Sequence, residues 1–284
     1  VYNIEDRDDY QCVLNGTVKN GFLGASASFL PDLNNDNIKE IAVGAPGEGT
    51  CGKVHIIDGE KCKNGNYLEV EAGMSNLLKT FSCDDSFIQT ALDRKALSSF
   101  GMRVLGLPDY DGVSDSSSLA YLLVTNNNYE LENQSNNSPE YFIFKLNVSE
   151  EDDDINIAAS ILRHKVGARG SKLGSYVKLI GDVNGDSKKD IIIASPNGSG
   201  RFGNTGHLRI ISGHALTTQS LADDLIQMLY YPYNQTGTGF GRSVEYMDFD
   251  GNGTKDFVVG APFFSSQAHQ KSGQVLVYPM DPVE

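Results

Sequence analysis

One pattern occurs four times along this 284-residue chain, and it limits the possible folds more than any other feature. Each copy begins with a large apolar residue followed by glycine: Leu23-Gly24, Phe100-Gly101, Leu173-Gly174 and Phe240-Gly241. These glycines lie roughly 70 residues apart, which is enough chain for a four-stranded sheet with long loops. The repetition therefore predicts four similar β-sheets, each built from one copy.

Two short segments in the copies have the composition of β-strands. The first is apolar, at 41–43, 191–193 and 257–259, and runs into Gly-Ala-Pro or Ala-Ser-Pro. The second begins at a glycine, at 52–57, 206–211 and 273–278. The second copy is weaker, because Thr125, Asn126 and Asn127 replace its Gly-Ala-Pro. We expect four blades, with the second copy less regular than the others.

Three copies carry an acidic loop before the apolar strand, at 32–40, 182–190 and 248–256. Side-chain oxygens fall at positions one, three, five and nine of each loop, and position seven offers a backbone carbonyl. The predicted metal ligands are Asp32, Asn34, Asp36, Ile38, Glu40, Asp182, Asn184, Asp186, Lys188, Asp190, Asp248, Asp250, Asn252, Thr254 and Asp256.

Calcium suits these loops because it takes six to eight oxygen ligands, whereas magnesium requires a strict octahedron and keeps its waters. Each loop holds three carboxylates, whose mutual repulsion a divalent cation relieves. An EF-hand is excluded by its twelfth position, which is Val43, Ile193 or Val259 here in place of a glutamate. Asp, Asn and Gly also form ordinary turns, but three loops in one register favour calcium. A fourth site near Asp109 and Asp111 is a weaker prediction.

The chain has 37 acidic and 23 basic residues, which gives a net charge of −14. Phosphate backbones and anionic lipid surfaces would repel such a chain, so nucleic acid is excluded as an expected partner. No stretch of about 18 apolar residues occurs, so we expect no direct membrane insertion by this segment. The first residues contain no signal-peptide pattern, which suggests a mature or excised ectodomain segment.

Cysteines and glycosylation sequons together favour the secretory pathway and an extracellular or cell-surface location. Cys51 and Cys62 bracket a predicted strand and could close a local loop, which would leave Cys12 with Cys83, but four cysteines allow three pairings. A zinc site would need paired C-x-x-C spacing, which is absent. Seven N-x-[ST] sequons occur, at Asn15, Asn133, Asn136, Asn147, Asn197, Asn234 and Asn252.

The order of Phe-Gly, acidic loop, Gly-Ala-Pro and glycine-led strand resembles the FG-GAP repeat of integrin α subunits. The copy at 240–278 is the most similar, while Leu23 and Leu173 depart from the pattern. The resemblance implies an all-β fold, a β-propeller of four-stranded antiparallel blades. Because the family propeller has seven blades, we expect residues 1–284 to form one domain or segment of a larger propeller, with repeats at about 21–80, 98–148, 171–215 and 238–279.

The resemblance also implies adhesion or protein recognition, with a partner subunit or extracellular ligand bound on the face opposite the metal hairpins. Tyr230, Tyr231, Pro232 and Tyr233 are candidates for that surface, although such aromatics also pack between blades. The segments 126–139 and 150–154 are expected to be exposed loops. Similar repeats accompany some hydrolases and lyases, and a structural scaffold is a further alternative.

No catalytic motif supports the enzymatic alternative. The sequence contains neither G-x-S-x-G nor H-E-x-x-H. The five histidines, at positions 55, 164, 207, 214 and 269, do not share a repeat position. We therefore expect a non-enzymatic protein.

Overall fold

The computed structural model describes residues 12–62, 66–71, 73–91, 99–107, 119–126, 138–151, 154–214 and 225–280. Within these ranges the regular secondary structure consists of β-strands and one short helix. The elements, in order, are β1 (Cys12–Gly16), β2 (Ser26–Phe29), β3 (Ile41–Ala45), β4 (Lys53–Ile57), β5 (Asn66–Val70), β6 (Leu77–Ser82), α1 (Ser86–Ala91), β7 (Phe100–Leu107), β8 (Leu119–Asn126), β9 (Glu140–Glu151), β10 (Asp154–Val166), β11 (Val177–Leu179), β12 (Ile191–Ser195), β13 (His207–Ile211), β14 (Leu225–Tyr230), β15 (Ser243–Met247), β16 (Asp256–Ala261) and β17 (Gln274–Tyr278).

Each sequence copy forms one sheet, which confirms the predicted β-propeller blades. Blade 1 has the strand order β2-β3-β4-β6, blade 2 has β10-β9-β8-β7, and blade 3 has β11-β12-β13-β14. Blade 4 shows β15-β16-β17 in the described residues. A separate parallel pair, β1 with β5, was not predicted. Neighbouring strands of blades 1, 3 and 4 pair antiparallel.

The apolar and glycine-led segments are strands, as predicted. The apolar segments form β3, β12 and β16, which lie inside their sheets and are largely buried. The glycine-led segments form β4, β13 and β17, each paired with the apolar strand of its own blade. A strand whose two faces are both covered needs apolar side chains on both faces, which explains the composition of these largely buried strands.

The glycine that defines each copy is required by its backbone conformation. Gly24, Gly101, Gly174 and Gly241 have φ angles of 86°, 87°, 78° and 89°. This left-handed region is open to glycine but strained for most other residues. In copies 1, 3 and 4 the glycine N–H donates to a carbonyl of the apolar strand, at 2.8 to 3.0 Å. The repeat glycine therefore starts the first strand of the blade.

The chain divides into two compact units, one containing blade 1 and the other blades 3 and 4. In the first unit, a Cβ added at Gly44 would collide with the backbone carbonyl of Gly101. The hydroxyls of Ser26 and Ser28 accept backbone N–H groups of β7, from Val104 and Gly106, both at 2.9 Å. Blade 1 thus packs on β7 through close backbone contact. That all 284 residues form one domain stays a prediction.

In the second unit, blades 3 and 4 share one apolar core. It contains Leu208 and Ile210 of blade 3, together with Phe240, Val244 and Phe257. The Tyr176 hydroxyl donates to the Val244 carbonyl at 2.9 Å, and Lys178 pairs with Glu245. The phenylalanine of the repeat motif is therefore a core residue, fully buried where the two blades meet.

The aromatic segment 230–233 lies partly in the core and partly at the surface. Tyr231 is fully buried, and its ring centroid lies 5.5 Å from that of Phe240. Its hydroxyl donates to the Gln274 side chain at 2.9 Å. Tyr233 is 53% exposed. The packing alternative is thus correct for Tyr231, while Tyr233 remains available for recognition.

The disulfides differ from the local pairing that the sequence suggested. Cys12 is bonded to Cys62 and Cys51 to Cys83, with Cα–Cα distances of 5.0 and 6.1 Å. Cys51 and Cys62 lie beyond opposite ends of β4, so a local loop between them would have to fold back along that strand. The first bond instead holds the β1–β5 pair beside blade 1, and the second joins the β3–β4 loop to the segment after β6.

The acidic run 150–154 was expected to be a loop, and this expectation is wrong. Strand β9 continues to Glu151 and β10 begins at Asp154, so the prediction fails at residues 150, 151 and 154, whereas 152 and 153 lie outside the described residues. Residues 127–137 of the other predicted loop, and the second-copy loop 109–115, lie outside the described residues. No helix in the described ranges is long and apolar enough to cross a membrane.

Candidate metal centre

The three acidic loops occupy the same place in their blades. Each connects the first strand to the apolar strand: β2 to β3, β11 to β12, and β15 to β16. We refer to residues 32–40, 182–190 and 248–256 as loops 1, 3 and 4. The twelfth positions, counted from the first aspartate, lie in β3, β12 and β16. Each loop is therefore flanked by strands and not by the helices of an EF-hand.

The aspartate at position one closes each loop by accepting backbone N–H groups. Its Oδ2 atom accepts the N–H of position six at 2.8 Å from Asn37, 2.7 Å from Ser187 and 3.0 Å from Gly253. These three residues have positive φ angles of 65°, 67° and 88°. Asparagine and glycine tolerate this conformation better than most residues, which explains the Asn and Gly content of the loops. The loop chemistry thus produces a tight turn around the carboxylates.

The acid at position nine anchors each loop to its blade. Glu40, Asp190 and Asp256 are each no more than 1% exposed. One oxygen of each accepts the backbone N–H of position two: Leu33 at 2.6 Å, Val183 at 2.7 Å and Phe249 at 3.0 Å. Because this bond spans the whole loop, it brings the position-nine carboxylate back beside the first residues of the turn.

In loops 1 and 4 the predicted acidic ligands come together. Oxygens of Asp32, Asp36 and Glu40 lie within 4.8 Å of one another, as do oxygens of Asp248, Asp250 and Asp256. Three carboxylates at this separation form an all-oxygen donor set, which suits a hard divalent cation. The side-chain amides of Asn34 and Asn252 lie inside the same turns, each donating to a neighbouring aspartate at 3.1 Å.

Loop 3 is satisfied more by protein hydrogen bonds. The Ser212 hydroxyl donates to Asp186 Oδ2 at 2.9 Å, and the Asn184 amide donates to the same oxygen at 2.9 Å. Burial alone would raise the pKa of Asp186, but these bonds and the Lys188 N–H hold it below its usual value. Its carboxylates do not form the close cluster that loops 1 and 4 form.

Glu40 is the most perturbed acid of the three loops. Burial raises its pKa to about 8, and repulsion from Asp32 and Asp36 adds to the shift, while the Leu33 N–H opposes it. Its Oε1 atom is buried and has no hydrogen-bond partner in the described structure. Burial also raises the pKa of Asp190, although the N–H groups of Val183 and Gly213 oppose that rise. A cation in loop 1 would relieve both the repulsion and the unpartnered oxygen.

Comparison with known proteins agrees with the repeat pattern. Residues 240–278 match the model of the FG-GAP repeat. The chain is 27% identical over 107 residues to integrin alpha-5 of Xenopus laevis, and 34% identical over 113 residues to integrin alpha-IIb of Mus musculus. These matches cover 36% and 39% of this chain but only 9% and 10% of the two relatives. The chain thus contains an FG-GAP repeat at 240–278 and is similar to integrin α subunits over part of its length. Its blade 4, where the FG-GAP model matches, includes loop 4 in full.

A hydroxyl–imidazole–carboxylate set lies outside the FG-GAP loops, and sequence reasoning missed it. His55 Nδ1 is 2.9 Å from the Thr80 hydroxyl, and Nε2 is 3.1 Å from Glu48 Oε2. The order resembles a hydrolytic triad. However, His55 and Glu48 are 0% and 1% exposed, so no substrate can reach the imidazole. Burial lowers the pKa of His55, although Glu48 opposes the shift. The set ties the β3–β4 loop to β6.

The second oxygen of the position-nine acid was also missed by sequence reasoning. In loops 3 and 4 it accepts a backbone N–H from just beyond the third strand of the same blade, Gly213 at 3.0 Å and Met280 at 2.9 Å. A main-chain donor leaves no side-chain signal, so only the three-dimensional structure identifies it. The proposed ligands in all three FG-GAP loops are described, whereas Asp109 and Asp111 lie outside the described residues.

The raised pKa of Glu40 predicts an unusual pH dependence for the metal-free protein. Its folded-state pKa of about 8 exceeds its ordinary value of 4.5, so its contribution to stability is present below pH 4.5 and is lost as pH rises through 8. We expect the free energy of unfolding of the metal-free wild type to fall by roughly 4 to 5 kcal/mol relative to Glu40→Gln across this window.

Urea unfolding of both proteins in metal-stripped buffer at pH 5 to 9 measures this difference. The control is Glu245→Gln, whose carboxylate pairs with Lys178 and whose side chain is 65% exposed. A constant difference between the wild type and Glu40→Gln across this range would show that the Glu40 carboxylate is not destabilised by its surroundings.

Proposed function

We propose that this chain is an extracellular calcium-binding FG-GAP module for cell adhesion or protein recognition. The observation that carries the proposal is the repeated loop: the same two acids, at positions one and nine, make the same backbone bonds in three blades. Such a turn brings carboxylates together, and this arrangement is stable when a cation neutralises them. The integrin α relatives support an adhesion or recognition role.

Calcium in these loops would brace the hairpins of the blades. The loops lie at one end of their sheets, and their carboxylates accept backbone and amide N–H groups and, in loop 3, the Ser212 hydroxyl. A calcium ion that binds only the folded state stabilises that state by mass action. We therefore assign the ions a structural role. The proposed module is not an enzyme.

Recognition would use the opposite end of the blades. The loop between β12 and β13 lies at that end, as does the segment after β14, because β14 pairs antiparallel with β13. This end exposes Phe202 by 48% and Tyr233 by 53%. Exposed aromatic side chains provide large contact areas at low entropic cost, which suits a protein partner. Both side chains belong to the second unit.

Secretion is supported by two disulfides and by the position of the sequons. Disulfides persist in oxidising compartments. Among the described sequons, Asn15, Asn147 and Asn234 are exposed. Asn197 is half-buried, and its neighbour Gly198 packs against the His207 ring. Asn252 is exposed but belongs to loop 4. A glycan on Asn252 would occupy the amide that the calcium site needs.

Calcium binding is the first test of this proposal. Calorimetric titration of the metal-free segment is expected to show three sites, and chelation should lower the melting temperature by roughly 10 °C, because each site at a hundredfold excess over its Kd contributes about 2.7 kcal/mol. Magnesium at equal concentration serves as the control and should restore much less. The absence of calcium binding would make the loops ordinary turns and remove the metal from the proposed function.

The recognition surface is tested by binding to an immobilised extracellular-matrix extract. We expect Phe202→Ser and Tyr233→Ser to weaken binding at least tenfold, because each removes exposed aromatic area at the proposed face. Met247→Ser is the matched control, since Met247 is 48% exposed but lies beside loop 4. If all three substitutions changed binding equally, the face that carries Phe202 and Tyr233 would not be the recognition surface.

Glycan mapping tests the extracellular assignment. In protein secreted from eukaryotic cells, we expect glycans at Asn15, Asn147 and Asn234 and none at Asn197 or Asn252. Enzymatic deglycosylation in heavy-oxygen water followed by peptide mass spectrometry reports each position. The Asp248→Asn variant, which weakens loop 4, provides a comparison for Asn252. High occupancy of Asn252 in the calcium-loaded wild type would contradict its assignment as a ligand.

A further inference from the structure

The three metal loops are not equivalent, because the acid at position nine is used differently. In loops 3 and 4, both oxygens of this acid accept backbone N–H groups: Asp190 from Val183 and Gly213, and Asp256 from Phe249 and Met280. In loop 1 the acid is Glu40, which is one methylene longer. Its Oε2 atom accepts the Leu33 N–H at 2.6 Å, but its Oε1 atom has no partner among the described residues.

The unpartnered oxygen lies in a fully buried side chain. Glu40 is 0% exposed, so water cannot solvate Oε1. The same carboxylate lies with Asp32 and Asp36 in the cluster whose oxygens are within 4.8 Å of one another. A buried carboxylate oxygen without a donor is unfavourable when charged, and either a bound proton or a metal ion would compensate it at this position.

We propose that loop 1 is the highest-affinity calcium site of this chain and that it fills before loops 3 and 4. This inference rests on the proposed calcium-binding function and adds an order of binding to it. A cation in loop 1 gains an oxygen that nothing else in the described structure satisfies. In loop 4, the corresponding oxygen already has the Met280 N–H, and in loop 3 the Gly213 N–H, so a cation there gains less.

The chemistry of Glu40 also favours calcium over magnesium. A long, flexible glutamate can present two oxygens to one ion, and calcium accepts such bidentate ligands at 2.3 to 2.6 Å, whereas magnesium requires a stricter octahedron. Loop 3 is expected to be the weakest of the three, because the Ser212 hydroxyl already neutralises part of the Asp186 charge.

Filling loop 1 first would order one end of blade 1 first. The backbone carbonyl of Glu40 accepts the Leu30 N–H at 2.9 Å, and the buried side chain of Leu33 lies within the loop. Glu40 also directly precedes β3, the apolar strand of the blade. An ion held by Glu40 would therefore stabilise the junction between loop 1 and the blade 1 sheet.

Calorimetric titration with calcium alone, on wild type and on single variants, tests the order of binding. Glu40→Asp gives loop 1 the acid of the other loops, and we expect it to weaken the tightest binding step at least tenfold. Glu40→Gln is expected to weaken this step at least a hundredfold. The matched control, Asp256→Asn, should leave the tightest step within threefold of wild type and remove a weaker one. Circular dichroism in saturating calcium verifies folding of each variant.

A second measurement needs no substitution and so does not depend on whether the Glu40 variants fold. Amide hydrogen exchange of the wild type is recorded with one equivalent of calcium per chain. We expect protection to rise first in peptides covering 30–45, and only at higher calcium in peptides covering 180–195 and 246–261.

The outcomes separate this inference from the proposed function. If the tightest step survives Glu40→Gln and disappears in Asp256→Asn, or if protection rises first at 246–261, the order of binding is wrong while calcium binding stands. If wild type shows no calcium binding at all, the proposed function itself fails. Simultaneous protection of all three loops at one equivalent would also overturn the order.

Discussion

The hydrogen bond between the position-nine acid and the N–H of position two holds each metal loop in its blade. It closes the turn around the remaining carboxylates and fixes the acid at the start of the apolar strand, where it is buried. The bond therefore places a buried acid, which water does not reach, beside a cluster of other carboxylates. Burial and negative charge would otherwise be unfavourable together. A cation bound as proposed would make both compatible, because it would supply the compensation that water cannot provide at the buried carboxylate.

Packing between blades depends on the same repeat, through its glycines and its phenylalanine. Gly44 lets the Gly101 carbonyl approach the apolar strand in the first unit, where a side chain would collide. In the second unit, Phe240 fills the core between blades 3 and 4. Blade 4 has no such cover in the described structure on the face that carries Val275 and Val277. These two side chains are 67% and 38% exposed. Their counterparts in blade 3, Leu208 and Ile210, are fully buried against blade 4, which shows how strongly burial of this face depends on an adjacent sheet.

The sequence predicted the parts of the fold that local chemistry determines. Repeat glycines, apolar central strands and acidic loops each have a short-range physical cause, and the structure places them as expected. Long-range pairing was harder to predict: the Cys12–Cys62 and Cys51–Cys83 bonds depend on which loops meet in space, and the parallel β1–β5 pair has no local signal. The acidic run at 150–154 was misassigned where it belongs to β9 and β10, because a run of charged residues is compatible with a solvated strand as well as with a loop.

Repetition in sequence also concealed a difference that matters for the chemistry. Glutamate and aspartate at position nine look interchangeable in a motif, yet the extra methylene of Glu40 changes which groups its oxygens can reach. Asp190 and Asp256 are close enough to the end of the third strand to accept a main-chain N–H there, and Glu40 is not observed to do so. An acid whose oxygens are both bonded to the backbone mainly supports the loop, whereas an acid with one free buried oxygen retains a ligand for an ion. Three copies of one loop can therefore provide sites of different strength, with the difference determined by the length of a single side chain.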